Sequence, residues 1–166
     1  MDMARLQGLL LKHEGRIGPN TLMQGAIAVL VLGLIINLLG ILVPGISILG
    51  IVLLYPMFCI YAKRLHDGGK AAIWTLAVLG GMIVGSIVLS MILTPLFVGD
   101  AFAAAMRGEN ITSMGWRMKS VMLSLIVSII MHLGLAFVVN QFVKGDPAAN
   151  AYGEPPADAA SINPLS

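Results

Sequence analysis

Charge is what this chain lacks most. Only 11% of its residues are Asp, Glu, Lys or Arg, whereas 58% are hydrophobic. Soluble domains carry about 25% charged residues, so too little polar surface is present here to coat a water-soluble globule. Blocks of like charge are missing as well. The net charge is +2, which gives no footing for nucleic acid as a partner. Cysteine is reduced to Cys59, inside an apolar run, which excludes an internal disulfide and leaves the redox compartment open. Residues 1–16 do not read as a cleavable signal: they hold Asp2, Arg5, Lys12, Glu14 and Arg16, and the apolar run behind them is far longer than a signal-peptide core. The methionines are scattered and read as soft packing groups.

Three long stretches are free of charge: residues 17–62, 71–99 and 120–143. The first, as one helix, would reach about 69 Å at about 1.5 Å per residue. A hydrocarbon core is about 30 Å thick, so the run must fold back once. Pro44-Gly45 is the expected break, because proline cannot continue a helix and glycine permits a turn. The sequence therefore predicts an all-α, polytopic membrane domain over residues 1–143, with transmembrane helices at about 21–43, 46–62, 71–97 and 120–143 packed as a compact bundle. Pro56 should kink the second. Residues 144–166, rich in Pro and Ala, read as a disordered tail. Short amphipathic helices are expected at the N-terminus, with Met3, Leu6, Leu10 and His13 on one face, and in the loop after residue 99, with Asp100 as N-cap and Trp116 at headgroup level. Asn110-Ile111-Thr112 matches a glycosylation sequon and is assigned no role.

Orientation follows from the basic residues. With both termini in the cytoplasm, Arg5, Lys12, Arg16, Lys63, Arg64, Lys70 and Lys144 lie inside, and Arg107, Arg117 and Lys119 lie outside.

Within the spans, Ala77, Gly81 and Gly85 recur every fourth residue, a small-residue stripe that would let another helix approach closely, either one of the same bundle, which is the preferred reading, or one of a second copy. The last span carries Ser120, Ser124, Ser128, His132, Ala136 and Asn140 at the same interval. His132 falls near mid-bilayer, where polar groups are costly and face inward. It is either a proton relay or ligand in a wet cavity, or a neutral imidazole bonded to a backbone carbonyl or to Asn37, Ser86, Ser90 or another serine; the second reading is preferred. No Asp, Glu, Lys or Arg sits inside the spans, which weighs against an ion-coupled pump.

The densest chemistry is Lys63, Arg64, His66, Asp67 and Lys70 at the inner surface, with Arg16 nearby. Three readings compete. The cluster is a positive-inside anchor or structural lock, a headgroup-binding patch, or a catalytic site with His66 oriented by Asp67 and Arg64 on phosphate. No nucleophile, metal motif or cofactor signature completes the last, so the enzyme reading is the weakest.

Arg64-Leu65-His66-Asp67-Gly68-Gly69-Lys70 followed by Trp74 resembles the hallmark of a bacterial inner-membrane family, domain of unknown function 805 (YhaH-like), where the motif runs Arg-Leu-His-Asp-x-Gly-Lys-Ser-Gly-Trp-Trp. Gly15-Arg16-Ile17-Gly18 resembles that family's Gly-Arg-Ile-Gly-Arg, and Asn150-Ala151-Tyr152-Gly153-Glu154-Pro155-Pro156 its C-terminal Asn-x-Tyr-Gly-Pro-x-Pro. Pro19, Leu22-Met23 and Ala71-Ala72-Ile73 depart from the pattern. The resemblance implies a bacterial inner-membrane location and no particular activity. It suggests that Asp67 pairs with Arg16 or Arg64, that the tail folds back over them, and that exchanging the charges of Arg16 and Asp67 restores what either single reversal loses. The expected role is a non-enzymatic membrane or accessory protein in contact with lipids, with a second copy or another membrane protein as partner. A small transporter or pore, or an enzyme acting on lipid headgroups, are the alternatives.

Overall fold

The computed structural model describes residues 3–43, 45–109 and 114–158. Among these the chain is all helical: α1 (Met3–Leu11), α2 (Pro19–Leu42), a 3-10 segment (Ile46–Leu53) running into α3 (Leu54–Asp67), α4 (Trp74–Met106) and α5 (Met114–Phe142). Four helical stretches are long and apolar enough to cross a membrane: Pro19–Leu42, Ile48–Asp67, Trp74–Met106 and Met114–Phe142. Their outward faces carry Leu38, Leu49, Ile87, Ile92 and Phe137, all exposed. Only oil or another apolar surface can cover so much of that area. The chain is a multi-pass membrane protein.

The spans are not equivalent. Half of the apolar stretch that ends at Asp67 is buried, against 11% for α4 and 17% for α2 and α5, so α3 is the inner helix. It packs against α1, α2 and α4, while α5 lies against α2 and α4. The larger core, with Leu22, Val29, Met57, Ile60, Tyr61, Leu79 and Val139, gathers around α3. A smaller one at Val98, Leu123 and Val127 holds α4 to α5 towards the other end.

Several boundaries move from those expected. Proline is favoured at the first helical position, so α2 starts at Pro19. Pro44 lies outside the described residues; α2 ends at Leu42 and the 3-10 segment opens directly after Gly45. That segment is unusually long for its type; it is rich in β-branched side chains and leads into Pro56 in the first turn of α3. Helix α3 continues to Asp67, so the charged motif is its last turn rather than a loop. Gly69, at φ +68°, takes the left-handed C′ position, with Lys70 N–H donating to Leu65 O and Gly69 N–H to His66 O, a Schellman stop.

Helix α4 has 33 residues, about 50 Å, longer than a bilayer core. It breaks at Val98 (φ −133°, ψ 18°), one residue before Gly99 and three after Pro95. The short segment beyond is the expected helix after Asp100, whose Oδ1 accepts from Ala101 N–H at 2.9 Å, but it extends α4 instead of standing alone. Helix α5 begins at Met114, so Trp116, Arg117 and Lys119 are helical. The sequon lies among residues 110–113, outside the described residues.

Residues 144–158 are not the loose tail that composition suggests. They fold back as an irregular strap, turned at Asn150–Gly153 by reciprocal backbone hydrogen bonds of 3.1 and 3.0 Å. The N-terminal helix forms as expected, and Leu6 and Leu10 of the expected face pack inward together with Leu9, while Met3 is 70% exposed and His13 lies beyond its end. Both ends of the described chain therefore meet at one end of the bundle.

Candidate functional site: a buried charge network at the termini end

Asp67, fully buried, stands at the centre. Its position is fixed twice, by the helix stop that follows it and by close packing against Gly145, where a Cβ would come within 2.5 Å of Oδ2. Two arginines converge on it. Arg16, whose side chain is 1% exposed, reaches Oδ1 through Nε at 3.1 Å and Nη2 at 2.9 Å. Arg64, one helical turn before, donates from Nη1 to Oδ2. The pairing expected with Arg16 or Arg64 is thus made with both at once.

The remaining donors of the guanidinium groups are used within the chain. Arg16 Nη1 donates to Ala148 O at 2.8 Å and Gly153 O at 3.0 Å, and Nη2 donates to Asp146 O. Arg64 Nε donates to Asn140 Oδ1 at 2.8 Å, and Nη2 to Val143 O at 2.6 Å. Asn140 then donates from Nδ2 to Pro19 O at 3.1 Å. The network carries two cations and one carboxylate. The second positive charge is met by carbonyl oxygens of the α5 C-terminus and the strap, where the helix dipole also favours it.

The other cluster members do different work. Lys63 points away from Asp67 and donates from Nζ to Gly8 O (2.6 Å) and Leu9 O (2.9 Å), closing the last turn of α1. His66 Nδ1 lies 3.1 Å from Gly15 O; a carbonyl only accepts, so Nδ1 carries the hydrogen and Nε2 is the free acceptor. Its ring stacks on Tyr152 with centroids 3.8 Å apart and planes 2° apart, beside a cleft of about 440 Å³ that also touches His13 and Glu14. Its backbone O accepts from Asn150 Nδ2 at 3.1 Å. Lys70 is exposed, beyond the helix stop.

These placements correct two sequence readings. The cluster is not an open headgroup patch, because Arg16, Lys63, Arg64 and Asp67 are turned inward onto protein partners and Lys70 is apart from them. Nor is His66 coupled to Asp67: the carboxylate is taken by the two arginines, and the imidazole answers to Gly15 and Tyr152 instead.

Sequence reasoning missed Asp158. Its carboxylate accepts from Gly18 N–H (3.1 Å), Thr21 N–H (2.9 Å) and Thr21 Oγ1–H (2.9 Å). It thereby caps α2 from the far end of the chain. A signal was present: α2 enters through Gly18-Pro19, with no side chain of its own at the N-cap to satisfy the first amides.

His132 and Asn37 are satisfied within the spans, whereas the buried hydroxyls of Tyr61 and Thr75 make no hydrogen bond among the described residues. His132 Nδ1 donates to Ser128 O at 2.9 Å, the backbone alternative foreseen for it. Asn37 pairs with Ser124 rather than with His132: Ser124 Oγ lies 3.1 Å from Asn37 Oδ1 and 2.9 Å from Val121 O, and Asn37 Nδ2 donates to Gly33 O. Around that pair runs a groove of about 340 Å³ bordered by Gly40, Trp116, Arg117 and Ser120, away from His132. The small-residue stripe does not pack inside the bundle as expected. Ala77 and Gly81 are exposed, and only Gly85 is approached, by Met131 of α5. The reason is the larger side chains of α4: Thr75, Leu79 and Met82 form its buried face and turn Ala77 and Gly81 outward.

Comparison with protein-family models, with curated proteins and with solved structures finds no match for this chain.

Proposed function

We infer that this chain is a small bacterial inner-membrane protein, with both termini in the cytoplasm, that acts without catalysis as an accessory or assembly partner in contact with membrane lipids. One observation carries the non-catalytic reading. The most reactive-looking constellation, Arg16–Asp67–Arg64, has each of its charged nitrogens and carboxylate oxygens engaged by another part of the chain, which is the pattern of a lock. The excess of basic residues at the termini end supports the orientation. The resemblance to domain of unknown function 805 supports the location. An outward stripe at Ala77 and Gly81 is compatible with a second copy or another membrane helix beside α4.

The test is reconstitution with crosslinking. Purified chain in sealed liposomes is expected to leave the lipids chemically intact and the vesicles tight to potassium and protons. A photo-crosslinking residue at position 77 in native membranes is expected to give a discrete adduct with a second membrane polypeptide or a second copy. Lipid breakdown or potassium flux above that of empty vesicles would overturn the reading. For orientation, cysteine labels at positions 70 and 109 in a Cys59→Ser background should be reached from the cytoplasm and the periplasm respectively; the reverse pattern would invert the topology.

A further inference from the structure

We propose that residues 144–158 form a charge-sensitive strap, which an anionic membrane surface loosens, taking Arg16 in its place. The first argument is how the strap is held. None of its residues is buried, and its contacts are polar: Asp146 N–H to Asp67 O at 2.8 Å, the carbonyls of Asp146, Ala148 and Gly153 on Arg16, Asn150 on His66 O, and the Asp158 cap on α2. Tyr152 on His66 is its one ring contact. A segment held this way opens without exposing apolar core, uncovering instead the charges of Arg16 and Asp67, so it belongs to the part of a fold with low local stability.

The second argument is charge. The strap carries Asp146, Glu154 and Asp158 against Lys144. It covers the most basic part of the chain. Pro156, Ala157 and Asp158 form one wall of a cleft of about 710 Å³ whose other walls include Arg5, Arg16 and Lys63. With two arginines on one carboxylate, Arg16 depends on strap carbonyls to complete its coordination.

The third argument is place. Arg16 precedes α2 and Asp67 ends α3, so the strap lies where two spans leave the apolar layer. An anionic leaflet repels the strap's acids and attracts the arginine beneath them, within a Debye length of the surface. The device needs only that this end meets a membrane surface. It does not depend on the accessory role or the orientation inferred above.

Amide hydrogen exchange tests it on the full chain in nanodiscs of phosphatidylcholine or of phosphatidylglycerol. The reporters are the amides of Asp146 and Thr21, with α5 amides as the control for an intact bundle. At low salt, exchange at Asp146 is expected to be at least roughly tenfold faster in phosphatidylglycerol, to slow again on adding salt, and to leave α5 unchanged. Neutralising the strap with Asp146→Asn, Glu154→Gln and Asp158→Asn should abolish the difference between the two lipids. Equal protection in both lipids overturns the proposal. So does release by inorganic phosphate in phosphatidylcholine discs, which would make the trigger a soluble anion rather than a surface.

Discussion

The two ends of the bundle solve the problem of polar groups in different ways. At the termini end, charges are buried and shared: Arg16, Arg64, Asp67, Asn140 and the strap form one network that joins residues far apart in the chain. At the other end, three polar contacts among the described residues stand separate from one another. Lys119 pairs with Asp100 at 2.8 Å and Arg107 with Glu109 at 2.6 Å, all of them exposed, and Arg117 Nη1 caps Ile41 O at 3.1 Å. Interlocked buried charges cannot be removed singly without stranding a partner, whereas exposed pairs hand theirs to water. The contrast predicts that the chain is brittle at one end and tolerant at the other.

The largest effect should come from exchanging the charges of Arg16 and Asp67. A simple pair would be rescued by Arg16→Asp with Asp67→Arg. Here the new arginine would face Arg64, which shares the same carboxylate, so the double variant should be recovered at no higher yield than either single one. Rescue measured as folded protein in mild detergent would show that Arg64 is a bystander. Next comes Asp67→Asn, which strands two buried guanidinium groups. Breaking a buried pair costs about 3–5 kcal/mol, a large part of the stability of a small domain. Unfolding in mixed micelles should show that loss, and a loss under about 1 kcal/mol would mean that water reaches the network.

Asp158→Ala is the intermediate case and separates the strap from the network. It removes the cap of α2 but leaves Arg16, Arg64 and Asp67 paired. A lost N-cap costs about 0.5–2 kcal/mol. Exchange should quicken at Thr21 while the α3 amides stay protected. Loss of protection in α3 as well would show that strap and network are a single cooperative unit.

How much of this was legible follows the same division. The four spans were readable because charge is absent from 17–62, 71–99 and 120–143, and a bilayer leaves a charge-free run few other structures. The ends of the helices were not, because α4 and α5 continue through Asp100 and Lys119, where composition turns polar but helical hydrogen bonding goes on. In the site, the importance of Arg64 and Asp67 was visible in their spacing, and Arg16 in the motif around it. Composition did not show their burial, since the strap that covers them comes from far along the chain; only the resemblance pointed to a tail folded back over them. Asp158 was hidden for the same reason: its partners, Gly18 and Thr21, are at the opposite end of the chain. The row of residues every four positions on α4 misled because spacing marks a face without saying which way the face looks. Larger neighbours decided that Leu79 and Met82 turn inward.

The smallest effect sharpens the contrast from the tolerant side. Ser124 Oγ has two acceptors within reach, Asn37 Oδ1 and its own helix at Val121 O, and a hydroxyl holds only one hydrogen. Ser124→Ala therefore removes one interhelical bond and leaves Asn37 with Gly33 as its other partner. Such bonds between membrane helices average about 0.6 kcal/mol, because the separated helices also find partners. Unfolding in mixed micelles should register a shift of about that size, several-fold below Asp67→Asn. A loss as large as that of Asp67→Asn would mean that α2 and α5 are held together by this one polar contact rather than by apolar packing along their length, and the two ends would then be brittle alike.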